Sequence, residues 1–129
     1  MTAHLLPKIL IVDDDDDLRR IYARYLSAEG FEVFEAHSGE QVLREFRSQK
    51  FDIILLDIRI PDTQGHLLLS SLHKSHPHSK IVVSSCYTVE MQKEMIEDAA
   101  DYFDKSQGCR ALLSKIQSIL PRTQVSSEA

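Results

Sequence analysis

Phe51–Gly65, FDIILLDIRIPDTQG, carries a continuous apolar run from Ile53 to Leu56 that stops at an acid, Asp57. The run is short, branched and bounded, which predicts a strand buried on both faces rather than a helix. Pro61 and Gly65 follow as breakers, so the chain leaves the sheet, turns and re-enters regular structure near Leu67. A carboxylate is thereby left at the carboxyl end of a central parallel strand, the edge of an open α/β sheet at which ligands bind.

Working outward, the same alternation recurs on both sides of this stretch. Lys8 to Val12 is a β-branched run that delivers five aspartates, Asp13 to Asp17, into a turn. Leu18, Ile21, Tyr22, Tyr25 and Leu26 then fall at helical spacing, the late aspartates suit a helix N-terminus, and Gly30 stops the helix. Phe31 to Ala36 reads as a second strand. Ser38 caps a second helix with Val42, Leu43 and Phe46 inward. Beyond the anchor strand, Leu67, Leu68, Leu69 and Leu72 give a third helix its apolar face, and His76 with Pro77 ends it. Ile81 to Ser85 is a fourth strand, Thr88 to about Asp98 a short fourth helix carrying Val89, Met91 and Met95, and Ala100 to Phe103 a fifth strand ending near Lys105. Gly108 precedes a last helix with Leu112, Leu113, Ile116, Ile119 and Leu120, closed by Pro121.

Strict alternation of this kind predicts an α/β fold: one doubly wound, flavodoxin-like, five-stranded parallel sheet with helices on both faces and right-handed crossovers. The order 2-1-3-4-5 makes strands one and three neighbours at the switch point, so Asp13, Asp14 and Asp57 converge in one crevice.

At 129 residues, with 43% hydrophobic and 27% charged residues, the chain is expected to be a single domain over 1–129, its core about 7–120 and its end, 121–129, a polar tail. A net charge of -5 and no long basic stripe argue against direct nucleic-acid binding. The longest apolar runs fall short of the roughly 20 residues of a membrane span, and Met1 to Leu10 lacks the charged start and apolar core of a signal peptide. Cys86 and Cys109 form no CxxC pair, and Cys86 is expected to fill a small buried gap. A cytoplasmic protein with free thiols is the expectation.

Three carboxylates in one crevice repel one another unless a cation neutralises them. Oxygen donors without His or Cys favour Mg2+, which keeps several waters and awaits a phosphate. The other strand ends add a hydroxyl, Ser85, and an ammonium, Lys105. Together these make an anion site built around a potentially nucleophilic acid.

Taken as an ordered set, these motifs resemble the receiver domain of two-component response regulators, of the chemotaxis-receiver type, over roughly residues 7 to 120. ILIVDDD resembles the family's first strand and acid pair, DIRIP with Gly65 its phospho-acceptor segment, SSCY its fourth-strand hydroxyl motif and DYFDK its final Lys motif. The resemblance implies that Asp57 is the phospho-acceptor, Asp13 and Asp14 the acid pair, Lys105 the phosphate-binding amine, Ser85 the switch hydroxyl and Tyr102 the switch aromatic. It implies Asp14, Asp57 and the backbone carbonyl of Arg59 as direct metal ligands, with Asp13 completing the metal group. Arg59 and Tyr87, two past the acceptor and two past the hydroxyl, would set the lifetime of the phosphorylated state. The implied partners are a sensor histidine kinase or phosphotransfer protein, an unidentified output domain or effector, and a second copy of the chain in a phosphorylation-dependent dimer. The implied role is a phospho-accepting signalling domain rather than a turnover enzyme. Three features depart from the family pattern: Ser106 follows Lys105 where proline is usual, the interval from Ser85 to Lys105 is short, and Asp98 and Ala99 replace the habitual Ala-Gly.

Each residue alone has an ordinary reading. An Asp run caps a helix, a serine after a strand is common, Tyr102 can be core packing, and HKSHPH, His73 to His78, is a loop after a helix rather than a metal site. Two other functions compete. A phosphatase with an aspartate nucleophile would use Asp13 and Asp15 as a DxD pair, yet lacks the following Gly-Thr and leaves Asp57 unexplained. A degenerate receiver-like module would only bind, a reading prompted by Ser106 and the short fourth segment.

Overall fold

The computed structural model describes residues 6–58, 63–97 and 99–120. In chain order it contains β1 (Lys8–Val12), α1 (Asp16–Ala28), β2 (Glu32–Ala36), α2 (Gly39–Glu45), β3 (Ile53–Asp57), α3 (Thr63–Ser75), β4 (Lys80–Ser85), α4 (Val89–Met95), β5 (Asp101–Asp104), a 3₁₀ turn (Lys105–Gln107) and α5 (Gly108–Ile119). The strands are all parallel, in the order β2-β1-β3-β4-β5. The expected architecture is therefore the observed one.

Alternate residues of each strand feed two cores. Leu10, Val12, Ile54, Leu56, Ile81, Val83 and Tyr102 pack beneath Val42 of α2, Leu69 and Leu72 of α3, and Ile96. Ile9, Ile11, Ile53, Leu55, Val82 and Phe103 pack beneath Tyr22, Ala23 and Leu26 of α1 and Leu112 and Ile116 of α5. Caps fix the helix starts: the side chains of Asp15, Ser38 and Thr88 accept hydrogen bonds from the backbone N–H groups of Leu18, Gln41 and Met91. Gly30 ends the first βα unit at φ 100°, where a side chain would be strained.

Several expectations are corrected. Helix α3 begins at Thr63, with Gly65 inside its first turn, rather than near Leu67. Leu67 is 69% exposed and Ile21 55%, because α3 rests on Leu69 and Leu72, and α1 on Tyr22, Ala23 and Leu26. Met91 and Met95 are exposed as well. The inward positions of this part are Gln92 and Ile96, and the helix stops at Met95 because Ile96 turns extended (φ -133°, ψ 121°) to bury its side chain. Cys86 is exposed rather than buried, since β4 ends at Ser85 and the next residue enters a bend. Strand β5 is Asp101–Asp104, one residue later than expected.

His73 lies in the last turn of α3, and His76 is buried just beyond it. The Nε2–H of His76 donates to the Phe46 carbonyl (2.9 Å), so Nδ1 accepts from the Ser75 hydroxyl (2.7 Å), and the ring leans on Phe51. This histidine ties the end of α2 to the loop after α3, and the loop reading of HKSHPH holds only from His76 onward, because His73, Lys74 and Ser75 complete the last turn of α3. Pro61 lies outside the described residues, as do Pro121 and the expected tail.

Candidate functional site

Register brings the site together. Val12 pairs with Leu56, so Asp13 and Asp14 leave β1 alongside Asp57, the last residue of β3. Asp57 pairs with Ser84, and Ser85 pairs with Asp104, which puts Ser85 and Lys105 at the same edge. These ends line a cavity of about 340 Å³, bounded by Asp13, Asp14, Asp57, Ser85, Tyr87 and Lys105, with Cys86 at its wall.

Asp13 is 4% exposed and fully engaged. Its Oδ1 accepts from the Asp15 backbone N–H (2.9 Å), and its Oδ2 accepts from Lys105 Nζ (3.0 Å). Its own N–H donates to the Ala36 carbonyl (3.0 Å). Its carbonyl accepts from Arg19 Nη1 (2.7 Å), while Arg19 also holds Glu35 on β2 and Asp16 on α1. Arg19 is thus a buried brace for the acid turn, and sequence reasoning passed over it. A signal existed, for Arg19 stands three and four residues before Tyr22 and Ala23, within the inward stripe of α1.

Lys105 also pairs with Asp57, Nζ to Oδ1 at 2.6 Å, with both side chains nearly enclosed. Burial pushes the Asp57 carboxyl above the ordinary carboxylate range; the Lys105 bond opposes this and the charges of Asp13 and Asp14 add to it. For Lys105, burial works against the charge, but Asp57 and Asp13 outweigh it and hold the amine more firmly protonated. Carboxylate oxygens of Asp13, Asp14 and Asp57 lie within 4.8 Å of one another. Three carboxylates face one ammonium, a deficit of two positive charges that one divalent cation would balance. The donor set is all oxygen, so the residues present fit Mg2+. Among the described residues this is the one acidic group so assembled.

Ser85 is buried, and its hydroxyl accepts from the Tyr87 backbone N–H (3.3 Å). By alternation Ser85 follows Val83 onto the α4 side of the sheet, the side on which Tyr102 is buried. The Tyr102 hydroxyl donates to the Ile96 carbonyl (2.7 Å), so the aromatic ring sits inward against the end of α4. Arg59 lies outside the described residues. The Lys105 turn is built without proline: Asp104 Oδ1 accepts from both the backbone N–H (2.9 Å) and the hydroxyl (2.7 Å) of Ser106, closing the 3₁₀ turn.

A sequence model of the response regulator receiver domain matches residues 9–117. The chain belongs to that family. This receiver is 32% identical over 123 residues to the transcriptional regulatory protein CpxR of Escherichia coli K12, covering 94% of the chain and 52% of CpxR. It is 32% identical over 119 residues to the transcriptional regulatory protein SrrA of Staphylococcus aureus NCTC 8325, covering 91% and 49%. The chain thus spans about half the length of these curated relatives. Among solved structures, the response regulator TrrA of Thermotoga maritima in complex with Mg(2+)-BeF matches with a TM-score of 0.72 at 28% identity, covering 89% of this receiver and 100% of TrrA. A CheY-like receiver domain protein from Methanospirillum hungatei JF-1 matches with a TM-score of 0.71 at 33% identity, covering 88% and 92%. The receiver carries, among its described residues, no helix long and apolar enough to cross a membrane.

Proposed function

We propose that this receiver accepts a phosphoryl group on Asp57, in a Mg2+-dependent reaction, from the phosphohistidine of a sensor kinase or phosphotransfer protein. The observation that carries the reading is the Asp57 carboxylate itself, at the end of β3, 2.6 Å from the Lys105 ammonium and within one cluster with Asp13 and Asp14. An Asp57 oxygen attacks phosphorus, the P–O bond forms as the donor's P–N bond breaks, and the imidazole leaves with the electron pair. Lys105 neutralises an equatorial phosphoryl oxygen, and Ser85 donates its hydroxyl proton to another. Asp14 and Asp57, with Asp13 beside them and the Arg59 backbone carbonyl as the further ligand the family pattern implies, would hold Mg2+, which when bound would supply the remaining positive charge for the phosphoryl oxygens.

Phosphate on Asp57 draws Ser85 toward it by a charge-assisted hydrogen bond, and Tyr102 follows on the same face of the sheet, so β4, α4 and β5 form the switching element. Tyr87, at the cavity, hinders an attacking water and lengthens the phosphorylated state, and the same lifetime role is assigned to Arg59 from its position two residues past the acceptor. The output is an effector, an attached domain or a second copy of the chain, with no direct nucleic-acid or membrane binding by this receiver, whose core spans about 7–120 in the cytoplasm. It is a signalling domain and not a turnover enzyme. Against a DxD phosphatase stands Asp13, whose two oxygens are held by Asp15 and Lys105 and so are poorly placed to attack.

Beryllofluoride with Mg2+ tests the reading by NMR. Shifts at the ends of β3, β4 and β5 are expected, and a general phosphatase substrate should show no turnover. Unmoved spectra would make the protein a binding module, and sustained turnover would make it a phosphatase.

A further inference from the structure

Gln92 is the one wholly enclosed polar side chain on α4, at 0% exposure. Its Nε2 donates to two carbonyls, those of Tyr87 and Phe103, each at 2.8 Å. Because both neighbours are acceptors, the nitrogen must face them, and Oε1 is left buried with no partner among the described residues. Leaving a carbonyl oxygen orphaned is unfavourable, so the two donated bonds and the packing hold the arm in place. Tyr87 lies in the loop that leaves β4 after Ser85 and runs past Cys86 along the cavity, and Phe103, on β5, stands two residues before Lys105. One carboxamide therefore joins the two walls of the cavity that do not belong to the acid cluster.

We infer that Gln92 is a positioning residue for phosphoryl transfer: it sets the spacing between the Ser85–Tyr87 loop and the Lys105 end of β5 without touching the acids that hold the cation. The inference rests on the reading of Asp57 as phospho-acceptor. Uptake of phosphoryl from acetyl phosphate, followed by intact mass at saturating Mg2+, is compared in wild type and Gln92→Met, which keeps shape and removes the donors. Mg2+ affinity is measured separately by calorimetry. The maximal uptake rate should fall about tenfold, the equivalent of one neutral hydrogen bond, with Mg2+ affinity within about twofold. An unchanged rate in folded Gln92→Met overturns the inference, as does a parallel fall in rate and Mg2+ affinity, which would mark a general loosening of the fold. For the case in which Gln92→Met does not fold, the side-chain amide resonances of Gln92 in wild type decide: they should move with beryllofluoride and Mg2+ together and far less with Mg2+ alone, and fixed resonances overturn it. No uptake by wild type itself would bring down the Asp57 reading, and this inference with it, whereas uptake by wild type and variant alike brings down this inference alone.

Discussion

Single residues carry opposite burdens in this receiver. Tyr22 is 2% exposed, and its hydroxyl finds no partner among the described residues. Burial pushes its pKa up to about 12 from an ordinary 10.0. The folded chain thus keeps a proton that the unfolded chain releases, so this group's contribution is intact below about pH 10 and is lost as pH rises from there to about 12. Tyr22→Phe should be as stable as wild type at pH 7, or more stable by about 1 kcal/mol, and should lose part of that alkaline slope in thermal melts; a clear destabilisation would reveal a hydrogen bond to the hydroxyl. Asp14 bears on the proposed cation. Asp14→Ala should weaken Mg2+ binding at least roughly tenfold and slow phosphorylation, while the metal-free variant, relieved of a like charge, melts no lower than wild type. Equal Mg2+ affinity in calorimetry would remove Asp14 from the ligand set.

At the scale of elements, what was legible followed from pattern, and what was not followed from rotation. Strand β3 was plain because a run buried on both faces has no ambiguity of phase, whereas a run of leucines at 67–69 does not say which of them faces the sheet. The structure chooses Leu69 and Leu72. Leu72→Ala should therefore cost about 2–5 kcal/mol in denaturant melts and Leu67→Ala less than about 0.5, and the reverse ranking would mean α3 is rotated. Helix α4 was harder still, since its inward position is a glutamine, which no hydrophobic pattern marks. The proposed switching element is probed by Ser85→Ala, which should take up phosphoryl yet leave the NMR shifts of α4 and β5 largely unmoved; full shifts would remove the hydroxyl from the proposed switch. An Arg59→Ala, Tyr87→Ala double variant should lose its phosphoryl group faster than wild type, and unchanged decay by intact mass would refute shielding by these side chains.

Over the whole molecule, a parallel sheet read from alternation alone places the ends of β1, β3, β4 and β5 at one edge, which is why Asp13, Asp14, Asp57, Ser85 and Lys105 could be grouped before any coordinates. Their mutual engagement could not be. That Asp13 spends both oxygens on Asp15 and Lys105, or that Arg19 braces the turn from across three elements, depends on side-chain directions that spacing does not encode. The central claim is that this edge is a phosphorylation site with Asp57 as its acceptor. Intact mass after incubation with acetyl phosphate and Mg2+ tests it most directly, with circular dichroism to verify the fold of each variant. One added phosphoryl group per wild-type chain, and none on natively folded Asp57→Asn, is the predicted result; incorporation at wild-type level in Asp57→Asn would contradict it.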